Sequence, residues 1–130
     1  MDDMRRQAVD LLRTAFKASR PADQAEFVET LVKERDRTEV RQMLEFCLLW
    51  IRDGMILHAS QGQPETAPAI VNADMRESLM ALVTNLPDLD YAGVIGELEF
   101  AIECLDRYGQ PWLVLMVMLQ KVRALARLRR

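Results

Sequence analysis

VRQMLEFCLLWIRDGMILH, residues 40–58, is the stretch whose reading decides the fold. Its apolar residues have helical spacing, and the middle, Phe46-Cys47-Leu48-Leu49-Trp50-Ile51, is apolar on every side. A surface helix buries one stripe, so a helix apolar all round is enclosed by its own domain or by a partner. Charge returns at Arg52 and Asp53, which leaves an apolar run too short for a membrane span of ~20 residues. The stretch therefore predicts the central helix of a helical domain, with residues 46–51 buried and the Cys47 thiol shielded from reagents.

Working outward, the whole chain has 130 residues, the length of one domain able to bury a real core. Half of it is hydrophobic and 28% is charged, with five Gly and five Pro, a composition that favours soluble helix over strand. No window alternates with the period of two that a strand requires. The net charge of −3 gives no overall attraction for nucleic acid. Arg123, Arg127, Arg129 and Arg130 are a local exception, and cations suit the C-terminal end of a helix. Cys47 and Cys104 both lie in apolar helical patterns, as buried reduced thiols of a cytoplasmic protein do. The N-terminus Met1-Asp2-Asp3 has neither the basic nor the apolar region of a secretory signal.

On the N-terminal side, a first helix is expected from Asp2 or Asp3 to Ala18, with Met4, Ala8, Leu11, Leu12, Ala15 and Phe16 as its stripe. Pro21 suits the first turn of a second helix, which buries Ala25, Val28, Leu31 and Val32 and ends in the charged run 33–37. Asp36 with Glu39 forms a capping box for the central helix, with Thr38 as the alternative cap. On the C-terminal side, residues 60–71 read as a surface loop broken by Gly62, Pro64 and Pro68. Asp74 and Glu77, or Asn72, would cap a fourth helix carrying Met75, Leu79, Leu82, Val83 and Leu86 inward until Pro87. A fifth helix starts at Asp88 or Asp90 and buries Tyr91, Val94, Leu98, Ala101, Leu105 and Tyr108. Gly93 and Gly96 beside that stripe suggest a neighbour pressed against them, since each costs roughly 1 kcal/mol relative to Ala. Gly109 fits a C-cap and Pro111 the start of a last helix, again apolar all round for its first two turns. The expected fold is all-α, a compact bundle of five to six antiparallel-type helices in a single domain, 1–130. Two all-round apolar helices either lie side by side in one core or present an excess of apolar surface to another chain.

The search for chemistry finds packing residues. His58 is the single histidine, and no Cys or carboxylate stands at ligand spacing from it. HExxH, CxxC, a Gly-rich phosphate loop and a nucleophile elbow are all missing from the sequence. Glu97, Glu99 and Glu103 lie off the apolar stripe of their helix and face water. No catalytic, cofactor-binding or metal-binding residue is assigned, and an enzyme is not expected. Trp50 followed by Arg52-Asp53 is either an ordinary helix surface or the polar rim of an interface, where Trp and Arg are enriched.

Three stretches together resemble the C-terminal collar domain of the delta-prime subunit of the bacterial DNA polymerase III clamp loader. Leu44-Glu45-Phe46-Cys47-Leu48-Leu49-Trp50-Ile51-Arg52-Asp53 resembles that family's LL..LL.WLRD helix. Ile70-Val71-Asn72-Ala73-Asp74 is similar to its LxNxD lead-in to the next helix. Residues 102–119, a helix, a Pro-containing break and a Leu-rich helix, resemble its C-terminal ending. At that break the family's Asn-x-Asn-Pro followed by Arg or Lys is Tyr108-Gly109-Gln110-Pro111-Trp112, which keeps the proline and loses both asparagines and the basic residue.

The resemblance implies a fragment of a longer chain, with ATPase-fold modules upstream. It implies a domain that binds the collar domains of other clamp-loader subunits and holds their ring together while the sliding clamp is loaded for DNA replication. DNA would be met only through the complex, and ATP would be bound by other subunits. Trp50, Arg52 and Asp53 on the central helix and Trp112 and Met116 on the last are the expected subunit interface, with no cofactor and no membrane contact. The alternatives are an unrelated helical interaction or dimerisation domain, a small-molecule-binding helical bundle, and duplex-DNA binding by the terminal arginines.

Overall fold

The computed structural model describes residues 2–17, 20–60 and 72–127, and everything regular among them is helical. The α-helices are α1 (Asp2–Phe16), α2 (Pro21–Glu34), α3 (Arg37–Ala59), α4 (Arg76–Asn85), α5 (Tyr91–Asp106) and α6 (Pro111–Arg127), with a 3-10 turn, Ala73–Met75, leading into α4. The all-α bundle expected from the apolar periodicity is the fold observed. Residues 61–71, which carry most of the expected surface loop, lie outside the described residues, as do Arg129 and Arg130.

The arrangement follows from where the apolar faces point. α3 packs on α1, α4 and α5, while α6 packs on α5, α1 and α2. The four helices α1, α3, α5 and α6 thus make a square in which α3 and α6 occupy opposite corners, each flanked by α1 and α5. α2 closes over α1 and α6, and α4 lies against α3. The two all-round apolar helices are therefore enclosed separately, each by three neighbours, instead of lying side by side. On α3, Met43, Leu44, Cys47, Trp50, Ile51 and Leu57 are buried, whereas Phe46, Leu48 and Leu49 are half-buried at the edge of the core.

Local chemistry fixes the helix ends. The Asp36 carboxylate accepts from the Glu39 N–H at 2.9 Å, and the Glu39 carboxylate accepts from the Asp36 N–H at 3.1 Å. This reciprocal capping box, worth about 1 kcal/mol, makes Asp36 and not Thr38 the cap of α3. Asp90 caps α5 by accepting from the Gly93 N–H. Near the end of α3, Gly54 is buried, and a Cβ there would sit 3.0 Å from Leu82 and 3.2 Å from the Tyr91 ring. Glycine at this point lets α4 and α5 close onto α3.

Four expectations need correction, the first being that residues 46–51 are all buried: Phe46, Leu48 and Leu49 are half-buried, because the helix meets neighbours on only part of its circumference. The expected caps of α4 do not act: Met75 and not Asp74 stands at the cap position of the helix, and Asn72 at that of the 3-10 turn accepts no capping hydrogen bond, because its side chain is turned toward α3. Tyr108, assigned to the core stripe of α5, is 84% exposed, because the helix has already ended at Asp106. Its φ is 65°, the left-handed conformation of a Schellman C-cap, with Tyr108 N–H bonded to Leu105 O and Gly109 N–H to Cys104 O. Gly109 is demanded one residue later by space, since a Cβ there would stand 2.8 Å from Cys104 O. Gly93 does face a neighbour, Leu125, but Gly96 faces open space.

Beyond the apolar stripes, Gln24 is fully buried, which no periodicity signalled. Its amide donates to Thr14 Oγ1 and its carbonyl accepts from Gln120, each at 3.2 Å. A satisfied polar residue thereby joins α1, α2 and α6.

Candidate interaction surface

Exposed large apolar side chains concentrate where α5 meets α6. Phe100 on α5 is 53% exposed, and Leu113 and Val117 on α6 are 52% and 43% exposed. They border a groove of about 280 Å³ whose floor includes half-buried Cys104 and Val114 and buried Met118. Lys121 closes one end, with its ammonium 5.2 Å from the centre of the Phe100 ring and 3.8 Å from the Glu97 carboxylate. Leu113 and Val117 are one turn apart, so they form a single ridge along α6.

The residues expected at an interface are distributed differently. Trp50 is 2% exposed and Asp53 1% exposed, so both belong to the interior and offer a partner almost no surface. Arg52 between them is exposed. Trp112 and Met116 are half-buried and pack against the core. Successive helical residues stand about 100° apart, so the outward face of α6 falls on Leu113 and Val117, one position after each of the two expected residues.

Asp53 has a structural task. Its carboxylate accepts from the Asn72 backbone N–H at 2.7 Å and from the Asn72 side-chain amide at 3.0 Å. The Asn72 carbonyl in turn accepts from Arg5, which also pairs with Asp74 at 2.7 Å. This network pins the start of the 3-10 turn to α3 and α1. The bonded guanidinium holds the Asp74 carboxyl below the usual carboxylate range.

Burial pushes the Cys47 thiol far above its ordinary value, which suppresses the reactive thiolate; the thiol meets Ala8 O at 3.4 Å. His58 Nε2 donates to the Pro87 carbonyl at 2.7 Å, and its ring lies against Tyr91. Among the described residues, no cluster of three or more His, Cys, Asp or Glu side chains has metal-binding geometry. No helix among them is long and apolar enough to cross a membrane.

Comparison with protein-family models, with curated proteins and with solved structures gives no match to this chain. The resemblance to clamp-loader collar domains therefore stands on the three sequence stretches that carry it.

Proposed function

We propose that this chain is a protein-assembly domain and that the α5/α6 surface is where another chain docks. The observation that carries this reading is the single ridge of Leu113 and Val117 facing Phe100 across an apolar groove. Water-exposed apolar side chains gathered in a groove with charges only at its rim are what a partner helix covers when it lays its apolar face there.

The sequence resemblance supplies the specific form of the proposal: a collar domain that binds other clamp-loader subunits in the cytoplasm and serves DNA replication without catalysis of its own. A small-molecule-binding bundle has less behind it, because the four grooves described among these residues open to the surface.

The two cysteines make a direct test. Cys104 lines the groove, while Cys47 is buried in the core. Maleimide labelling of the folded protein should modify Cys104 first and Cys47 only on unfolding. Addition of clamp-loader collar domains should then protect Cys104, and Leu113→Glu should abolish the protection without loss of helicity. Unchanged Cys104 labelling with every collar domain would remove the clamp-loader form. An unchanged rate in cell extract as well would remove the docking surface.

A further inference from the structure

A second surface lies between α1 and α4, which flank α3 without closing on each other. Two adjoining grooves of about 550 and 440 Å³ share Arg13, Ser78 and Ala81 and together form one trench. Their linings change along its length. One end is polar and includes Arg5, Arg6 and Arg13, while the other has an apolar floor of Phe16, Trp50 and Leu82 beside Lys17. The cations number four against Asp74 and Glu77, in a chain whose net charge is −3.

These cations do not converge on a point. Arg6, Arg13 and Lys17 are spread over eleven residues of sequence, roughly 16 Å at helical rise. A compact anion needs convergent donors, and a nucleic-acid backbone is poorly served by a trench with Asp74 and Glu77 at its polar end and an apolar floor at the other. The matching ligand is elongated, acidic on one side and apolar on the other. Arg6 and Lys17 have no ion-pair partner among the described residues, and Arg13 meets only Asp10, at 3.7 Å.

The same chain displays such a ligand. The outer face of α5 carries exposed Glu99 and Glu103 one turn apart, with exposed Phe100 between them. Arg13 and Lys17 are also four residues apart, and Lys17 continues the helical bonding of α1 to Arg13 O. The two pairs therefore have the same axial spacing, roughly 6 Å. Glu103 is held by Arg107 at 2.9 Å, but both side chains are exposed, and such pairs exchange readily.

We infer that the acidic, Phe100-bearing face of α5 in one copy docks into the α1/α4 trench of a second copy. Glu99 and Glu103 then meet Arg13 and Lys17, and Phe100 meets half-buried Phe16 at the apolar end of the trench. The two surfaces are different, so the contact is head-to-tail, which builds a ring if the rotation closes and a filament if it does not. This rests on the proposal that the α5/α6 surface is a docking site, and it names the partner as the chain itself.

Sedimentation velocity across a wide concentration range tests it. The expected result is concentration-dependent self-association that weakens at high salt. Arg13→Glu alone and Glu103→Arg alone should each weaken it at least tenfold, and the two together in one chain should restore it. A monomer throughout, single reversals without effect, or a double variant no better than the singles would each overturn the inference. Circular dichroism of each variant separates lost docking from lost folding. If the chain stays monomeric while a different partner protects Cys104, the self-docking falls and the assembly reading stands.

Discussion

Replacing Arg37 by methionine should destabilise the fold by about 2 kcal/mol, although Arg37 lies at the first residue of α3 and far in sequence from what it holds. Its Nη1 donates to Leu105 O at 3.0 Å and to Gly109 O at 2.6 Å, and its guanidinium lies 5.6 Å from the Tyr108 ring centre. These carbonyls belong to the C-terminal turn of α5, where unsatisfied acceptors and the negative end of the helix dipole both favour a cation. Hydrogen bonds from a charged donor contribute about 1.5–3 kcal/mol each. The two together count as about one such bond at the lower end, because both leave the same nitrogen, Arg37 is half-exposed and Leu105 O keeps the Tyr108 N–H as a second donor. An exposed cation–π contact adds roughly 0.5 kcal/mol. Methionine retains most of the apolar stem and so isolates the guanidinium. Urea unfolding followed by circular dichroism should show a lower midpoint with an unchanged slope. Arg41→Met is the control, since Arg41 pairs with Asp106 at the surface and should leave the midpoint nearly unmoved. A loss from Arg37→Met below about 0.5 kcal/mol, or no larger than the Arg41 loss, would refute the claim that Arg37 ties α3 to the end of α5.

The remaining predictions test individual contacts. Gly96→Ala should stabilise by about 0.5–1 kcal/mol because its Cβ enters open space mid-helix, whereas Gly109→Ala should destabilise by more than about 1 kcal/mol because its Cβ meets a backbone carbonyl; thermal melts of the pair give opposite shifts. Asp53→Ala should cost more than about 2 kcal/mol by leaving two buried Asn72 donors unpaired, and hydrogen exchange should show the 3-10 turn opening first. The Tyr91 hydroxyl is buried with no hydrogen-bond partner among the described residues, so Tyr91→Phe should be neutral or stabilising at pH 7. Burial also raises the Tyr91 pKa to about 12, above its unfolded value near 10, so its contribution is complete below pH 10 and is lost as pH rises from 10 to 12. In denaturant titrations Tyr91→Phe should flatten that alkaline fall.

Much of the fold was legible because the signals were local and redundant. Met4 to Ala15 on α1, Val28 and Leu31 on α2, and Tyr91 to Leu105 on α5 are spaced at three and four, and each set is buried. The Asp36–Glu39 box lies within four residues, so its reciprocal bonds follow from sequence alone. Legibility ended where geometry is set by distant residues. Asn72 looks like a helix cap in sequence, but the Asp53 carboxylate 19 positions away takes its N–H groups. Tyr108 continues the three-four rhythm of α5, but the Schellman turn imposed by Gly109 and Pro111 takes it out of the helix. Gln24 carries no apolar signal, and its burial requires Thr14 and Gln120 to arrive from two other helices.

The exposed ridge of α6 was hidden for a related reason. A hydrophobic stripe tells which side of a helix faces inward only when the other side is polar, and the first turns of α6 have no polar side. Residues 112–119 allow any rotation about the helix axis. The choice is made by α1, α2 and α5, which take Leu115, Met118 and Leu119 and leave Leu113 and Val117 to solvent. On α3 the same ambiguity is resolved the other way, because α1, α4 and α5 cover Trp50. All-round apolarity thus identified both helices that need enclosure, but the corner each occupies decides which one retains a face for a partner. α3 keeps Phe46, Leu48 and Leu49 half-buried at the core edge and Met55 36% exposed, whereas α6 keeps the more exposed ridge of Leu113 and Val117 beside Phe100. A partner should therefore discriminate between Leu113→Glu and Met116→Glu: the first should lose binding with the fold intact, while the second should lose stability because half-buried Met116 packs against the core.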